Sequence, residues 1–288
     1  MIDMLALLGC GLAWGATPTV VKFAGRAGVQ VLAFSGLQAL VAGLVLGALV
    51  VLRGRRIPLD GANLRYCAFA GVAGMGLPNA LLFMGMRHVP AGLFGLMAPL
   101  SPILTTLGLA AMGAETVTRR VWLGSAVAFA GIALAMAPGA SLPAPEALPW
   151  AAALMLVPAC YAAANIVGTV ARPAGSDSIT LAAGTLLACA GALLPLALVF
   201  GQFAAPPGAW VQAAPWVVVQ GGLQATAFLL YFGLLARRGG VFTSQVGYII
   251  TLAGLAWGVA LFDERHGWLT LPAVALVLLG LWLVTVRR

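Results

Sequence analysis

The chain reads as an all-α membrane protein of ten transmembrane helices, arranged as two inverted five-helix repeats with both termini in the cytoplasm. Three observations predict this. First, the 288 residues are 62% hydrophobic and only 8% charged, whereas soluble domains are roughly half apolar and a quarter charged. A soluble fold with so little polar residue could not cover its own core. Second, the sequence repeats itself: Glu264 follows Glu115 by 149 residues, as Gly280 follows Gly131, and AGLFGLMAPLSPILTTLGLAAMGAE (91–115) aligns with GVFTSQVGYIITLAGLAWGVALFDE (240–264). Third, each half carries five apolar runs long enough to cross a bilayer. Five is odd, so the second half enters the membrane from the opposite side. That is the architecture of a carrier presenting one site to alternating faces.

In chain order the predicted spans are 4–23, 30–52, 66–86, 90–112 and 121–138, then 149–170, 178–200, 213–235, 240–262 and 268–286. Each has about 18–25 residues, which at about 1.5 Å per residue suits a hydrocarbon core of roughly 30 Å. The first has Asp3 where a signal peptide has a basic start, and its apolar run continues to Phe23, so it is expected to be retained. The Pro-rich 137–149 stretch separates the halves, giving repeat 1 over 1–138, an external connection over 139–148 and repeat 2 over 149–288. The second Pro-rich turn is 201–209, and Gln202 in it is expected to carry no role.

Basic residues set the orientation. Eleven arginines (53, 55, 56, 65, 119, 120, 172, 237, 238, 287 and 288) fall on one side of this layout, against Lys22, Arg26, Arg87 and Arg265 on the other. The richer side is cytoplasmic. The net charge of +8 is spread between apolar runs, with no stripe or cluster for nucleic acid. Cys10, Cys67, Cys160 and Cys189 lie inside spans without CxxC spacing and read as packing residues, not as a metal site.

No Asp, Glu, Lys or Arg falls near the middle of a span, which points to a neutral or zwitterionic substrate. Amide, hydroxyl and aromatic groups occur there instead, at helical spacing. Asn79, Phe83 and Met86 share a face of the third span, and Gln224, Phe228 and Tyr231 one of the eighth. Tyr161, Asn165 and Gly168 do so on the sixth, and Gln245 and Tyr248 on the ninth. Trp14 and Thr17 lie at the matching depth of the first, with Gln38 in the second. Two readings stand for each of these groups: hydrogen-bonding glue between packed helices, or the wall of a small-molecule cavity. Their spread over paired helices of both halves favours the cavity.

Pro18, Pro78 and Pro158 each free a carbonyl one turn earlier, on Trp14, Gly74 and Leu154. Glu115 and Glu264 sit at span ends. They are either helix-end ion pairs or a pair of gating or coupling groups.

Taken in order, Trp14-Gly15 with Lys22, the MRHVPAGLFGLMAPLSPILTTL stretch (86–107), Pro102, Glu115, Gly124, Gly131, Ser244, Tyr248, Glu264 and Gly280 resemble the drug/metabolite transporter superfamily, in particular its EamA-type ten-helix carriers. The resemblance covers nearly the whole chain. It implies a central cavity between the repeats, peripheral support from the fifth and tenth helices, and export from the cytoplasm. The chain departs from the pattern at Gln38, where many members have arginine, at Thr251, where a proline is usual, and at Ala114 and Asp263. The implied partners are a small amino-acid-like substrate, the lipid bilayer and, where transport is coupled, a proton. No cofactor is implied. Broad drug efflux and metabolite uptake are alternative carrier functions, and a non-transporting scaffold is a third class. A membrane enzyme would need a convergent catalytic set, and both histidines (His88 and His266) lie near outer loops.

Overall fold

A computed structural model describes residues 2–56, 60–97, 100–114, 118–137, 145–173, 175–244, 246–262 and 267–285. Among these the regular structure is entirely helical. The elements are α1 (Ile2–Arg26), α2 (Val31–Leu52), α3 (Gly61–Gly85), α4 (in two stretches, Ala91–Met97 and Leu100–Ala111), α5 (Arg119–Ala135), α6 (Pro145–Val170), α7 (Ser178–Val199), α8 (Ala209–Ser244), α9 (Val246–Phe262) and α10 (Thr270–Thr285). Seven helical segments are long and apolar enough to cross a membrane, and α9 and α10 are shorter apolar helices.

The largest departures from the expected boundaries are at the start of α3 and between α8 and α9. Helix α3 starts at Gly61 because Asp60 caps it, its carboxylate accepting from the Ala62 and Asn63 amides at 3.2 and 3.1 Å. The Asn63 side chain donates to the same carboxylate at 2.6 Å, and these bonds hold Asp60 below its ordinary acidity range. Helix α8 continues to Ser244, past the expected turn at 236–239. Glycine pairs weaken a helix by about 1 kcal/mol per residue without forbidding it.

Proline interrupts the first helix of each half. In α1 the regular helix breaks at Ala16, two residues before Pro18, and in α6 at Met155, three before Pro158. In α3 the chain forms a π-helical turn over Val72–Gly76, with the Leu77 amide bonded to the Val72 carbonyl, directly before Pro78 and Asn79. Such a wider turn, set just before a proline, is a recognised source of a local kink in a helix.

The packing partners come in matched sets. Helix α2 packs on α7 and α5 on α10; α1 packs on α8 and α9, and α6 on α3 and α4. The α5–α10 contact is its own counterpart under the 149-residue offset. A β-carbon on Gly131 would lie 2.9 Å from the Ala273 carbonyl, and one on Gly280 would lie 2.5 Å from the Gly124 carbonyl. The two backbones touch because neither glycine carries a side chain.

The apolar core is continuous at one end and divided at the other. One large cluster joins Val21 and Ala24 of α1, Phe34 of α2, Phe83 of α3, Leu93, Phe94, Leu96, Met97 and Leu100 of α4, Leu154 of α6 and Val217 of α8. Toward the opposite end the same helices part. Leu46 and Val50 of α2 go with Leu186 and Leu193 of α7, while Leu7 and Cys10 of α1 go with Leu234 of α8 and Val246 of α9.

At the continuous end, Gln202 is not idle. Its side-chain oxygen accepts from the Leu32 amide at 2.8 Å, satisfying a donor that the first turn of α2 leaves without a helical partner. The expectation that it carries no role fails, because a cap supplied from 170 residues away leaves no local signal. At the divided end two exposed ion pairs, Arg55–Asp177 and Arg237–Asp3, both 3.1 Å, tie chain segments together; exposed pairs of this kind contribute little.

Candidate functional site

The polar residues gather at the depth where the core divides. Trp14 stands just before the break in α1 and donates its indole N–H to Gln224 Oε1 at 2.8 Å. Phe228 meets the same indole edge-on at 5.8 Å, and Tyr231 lies 5.2 Å from it. Four residues expected to line a cavity therefore form one cluster. The 224, 228, 231 stripe of α8 presents them together, and the buried amide fixes the indole.

One turn along the stripe is Gln220, which the sequence reading passed over although it precedes Gln224 by four. It donates to Thr17 Oγ1 at 3.1 Å and is 1% exposed. Its own oxygen has no hydrogen-bond partner among the described residues; nor have Gln38 Oε1, Asn79 Nδ2 and Thr19 Oγ1. Gln38 and Asn79 are only 2% and 5% exposed. They sit at a common depth: α2 and α3 run antiparallel, and Phe34 and Phe83, one turn away on each, have ring centroids 5.4 Å apart. Helix α8 adjoins Gln38, since a β-carbon on Gly221 would come within 3.1 Å of the Gln38 carbonyl. Buried carboxamide atoms without partners are uncommon, and each costs about 1–3 kcal/mol.

Helix α6 shows which way the site opens. Ala151, Leu154, Pro158, Tyr161 and Asn165 form one stripe at helical spacing. The first three are buried, Tyr161 is half-buried and Asn165 is exposed. The outward stripe of Leu148, Ala152, Leu156 and Ala159 lies roughly opposite. Asn165 thus faces inward yet meets solvent-accessible space. Its side chain donates to Ser101 Oγ and Thr105 Oγ1 of α4 at 3.4 and 3.3 Å, long bonds that leave it available. Ser101 and Thr105, an i, i+4 pair around Pro102, were not singled out from sequence.

Tyr248 is half-buried on α9. Glu115, Gln245 and Glu264 lie outside the described residues. Among the described residues no group of three or more His, Cys, Asp or Glu converges as a metal site.

An all-helical apolar bundle with a buried polar cluster at mid-depth suits a membrane transporter, and comparison with known proteins bears on which kind. The profile of the EamA-like transporter family matches residues 1–137 and again 148–286. The chain belongs to that family and is a multi-pass inner-membrane protein. It is 25% identical over 291 residues to the inner membrane transporter YedA of Escherichia coli, with 96% of this chain and 91% of YedA covered, and equally so to YedA of two further strains. A crystal structure of another protein superposes with a TM-score of 0.71 at 19% identity, covering 99% of both chains; that likeness concerns the fold.

Proposed function

We propose that this chain is a secondary carrier for small neutral or zwitterionic, amino-acid-like metabolites, working by alternating access and in the export direction. In this reading the ten helices form two inverted repeats, 1–138 and 149–288, joined by an external connection at 139–148, with both termini cytoplasmic. The observation that carries it is the set of partnerless buried amide atoms (Gln38, Asn79 and Gln220) at the level where one core becomes two. A ligand offering amine and carboxylate groups supplies the acceptors and donors that the protein omits. The interruptions at Ala16 and Met155, one in the first helix of each half, support it as well, since proline-broken segments in matching helices of two halves mark carrier sites. So do the family match in two blocks and the self-matching α5–α10 contact.

Under the proposed orientation the divided end faces the cytoplasm. Substrate enters between α4 and α6 past Asn165 and Thr105, and meets the Trp14–Gln224–Phe228–Tyr231 wall. The continuous core from Val21 to Leu100 closes the far side. Bending of α1 at Ala16 and of α6 at Met155 then exchanges which end is packed. Glu115 and Glu264 stand in this scheme as gating or coupling groups at opposite faces.

Two experiments test it. In a variant without native cysteines, Ser141→Cys reacts with an impermeant thiol reagent in intact cells, and Arg56→Cys reacts only after permeabilisation. The reverse pattern overturns the orientation. In reconstituted vesicles screened with zwitterionic amino acids, with and without a proton gradient, Gln224→Ala raises the half-saturating concentration about tenfold or more, as loss of one buried partner requires. Wild-type saturation in that variant would make Gln224 packing glue.

A further inference from the structure

At the continuous end of the bundle α1 and α3 enclose a cavity of about 210 Å³, lined by Val21, Lys22, Arg26, Phe83, Met86 and Arg87. Three of those six side chains are cationic in a chain with few charges. Aromatic rings hold them in place. The Arg26 guanidinium lies 4.7 Å from the Phe262 ring centroid and 5.7 Å from that of Phe23, and Lys22 Nζ lies 4.7 Å from the Phe262 ring. The Arg87 guanidinium lies 5.3 Å from Phe83 and donates to the Val29 carbonyl at 3.3 Å.

The ion pairs among the described residues involve neither Arg26 nor Arg87. Lys22 has a further interaction of its own, which leaves Arg26 and Arg87 as the candidate donors. A guanidinium has five N–H donors, and stacking on a ring face leaves its edge free to bind. Two such edges on adjacent helices, over an apolar floor of Val21 and Met86, match a planar or tetrahedral oxyanion.

We propose that this cavity is a binding site for a small oxyanion, a carboxylate or phosphate group, with Arg26 and Arg87 as its donors. Its role rests on the carrier reading. Phe83 belongs to both the cavity wall and the face that carries Asn79, so an anion held here sits beside the mid-depth site. The carboxylate of an outgoing zwitterionic substrate is then met at this mouth as the substrate leaves the mid-depth site. The phosphate of a lipid headgroup offers the same chemistry from the bilayer side.

The test does not require transport. The purified protein in neutral phosphatidylcholine nanodiscs is titrated with acetate and with inorganic phosphate at constant ionic strength, and its thermal unfolding midpoint is followed. The wild type is expected to gain stability saturably with either anion. The Arg26→Gln/Arg87→Gln double variant should need roughly tenfold more anion or show no saturation, as loss of charge-assisted bonds requires. Both arginines are exposed at their tips, so the variant folds, which its midpoint without anion verifies. Arg26→Lys/Arg87→Lys should fall between the two, and Arg56→Gln at the opposite end should match wild type. A second arm uses nanodiscs containing phosphatidylglycerol. Stabilisation there without added anion, lost in the double Gln variant and masking the response to free anion, supports the site with lipid phosphate as its occupant. A wild type that fails to respond in both arms, or a double Gln variant that responds as wild type does, overturns the proposal. A wild-type anion response in a protein that transports nothing would instead count against the carrier reading and leave the site standing.

Discussion

Gly280→Ala is expected to lower the apparent unfolding midpoint of the purified protein by about 5 °C or more, and to free α10 from α5. The added carbon would stand 2.5 Å from the Gly124 carbonyl and 2.6 Å from the Ala128 amide nitrogen. Both are backbone atoms of a helix, so no rotamer change relieves the clash and the two axes must move apart. Overpacking of this kind costs about 1–3 kcal/mol, and in a chain of this size each kcal/mol corresponds to roughly 2–4 °C. Gly191→Ala is the control. Nothing lies within 4 Å of a β-carbon there, so it should be neutral or slightly stabilising. Equal midpoints for the two variants would mean that α5 and α10 do not pack through their glycines.

The second large effect separates function from stability. Gln38→Met with Asn79→Leu keeps the buried volume and removes two polar groups that have no partner for Gln38 Oε1 and Asn79 Nδ2. Apolar replacement of unsatisfied groups is neutral or stabilising, whereas a ligand that depended on both loses about 1–3 kcal/mol per contact. Transport is therefore expected to fall roughly a hundredfold or more, with an unfolding midpoint equal to or above that of the wild type. Transport at the wild-type rate would show that these amides are tolerated flaws of packing. A drop in both quantities would show that they have partners within the protein.

What could be read in advance followed physical reach. Apolar content and repeat spacing are properties of the chain itself, so the helical membrane class was legible. The α8 stripe was legible for the same reason: 224, 228 and 231 share a face whatever lies opposite. Trp14 joined it because a proline some four turns into a first helix is visible in sequence. The Gln202 cap on Leu32, and Gln220 against Thr17, depend on which helices become neighbours, and no local pattern encodes that. The π turn at Val72–Gly76 was half legible. Pro78 announced a stranded carbonyl, but not the wider turn before it. A β-carbon at position 71 would meet the Thr185 carbonyl of α7, and that close approach between helices has no local signature in the sequence.

The seam between α5 and α10 also bears on how the molecule is made. Helix α5 finds almost all of its packing on α10, yet some 135 residues must be synthesised after it before that partner emerges. Throughout that interval its face of Gly124 and Gly131 is turned to lipid, as an unpaired helix within an otherwise assembling bundle. The tenth segment, made long after the fifth, is thus the one that completes its packing. A chain cut short before Thr270 would retain most of the pocket residues and still present the membrane's quality-control machinery with an orphaned helix.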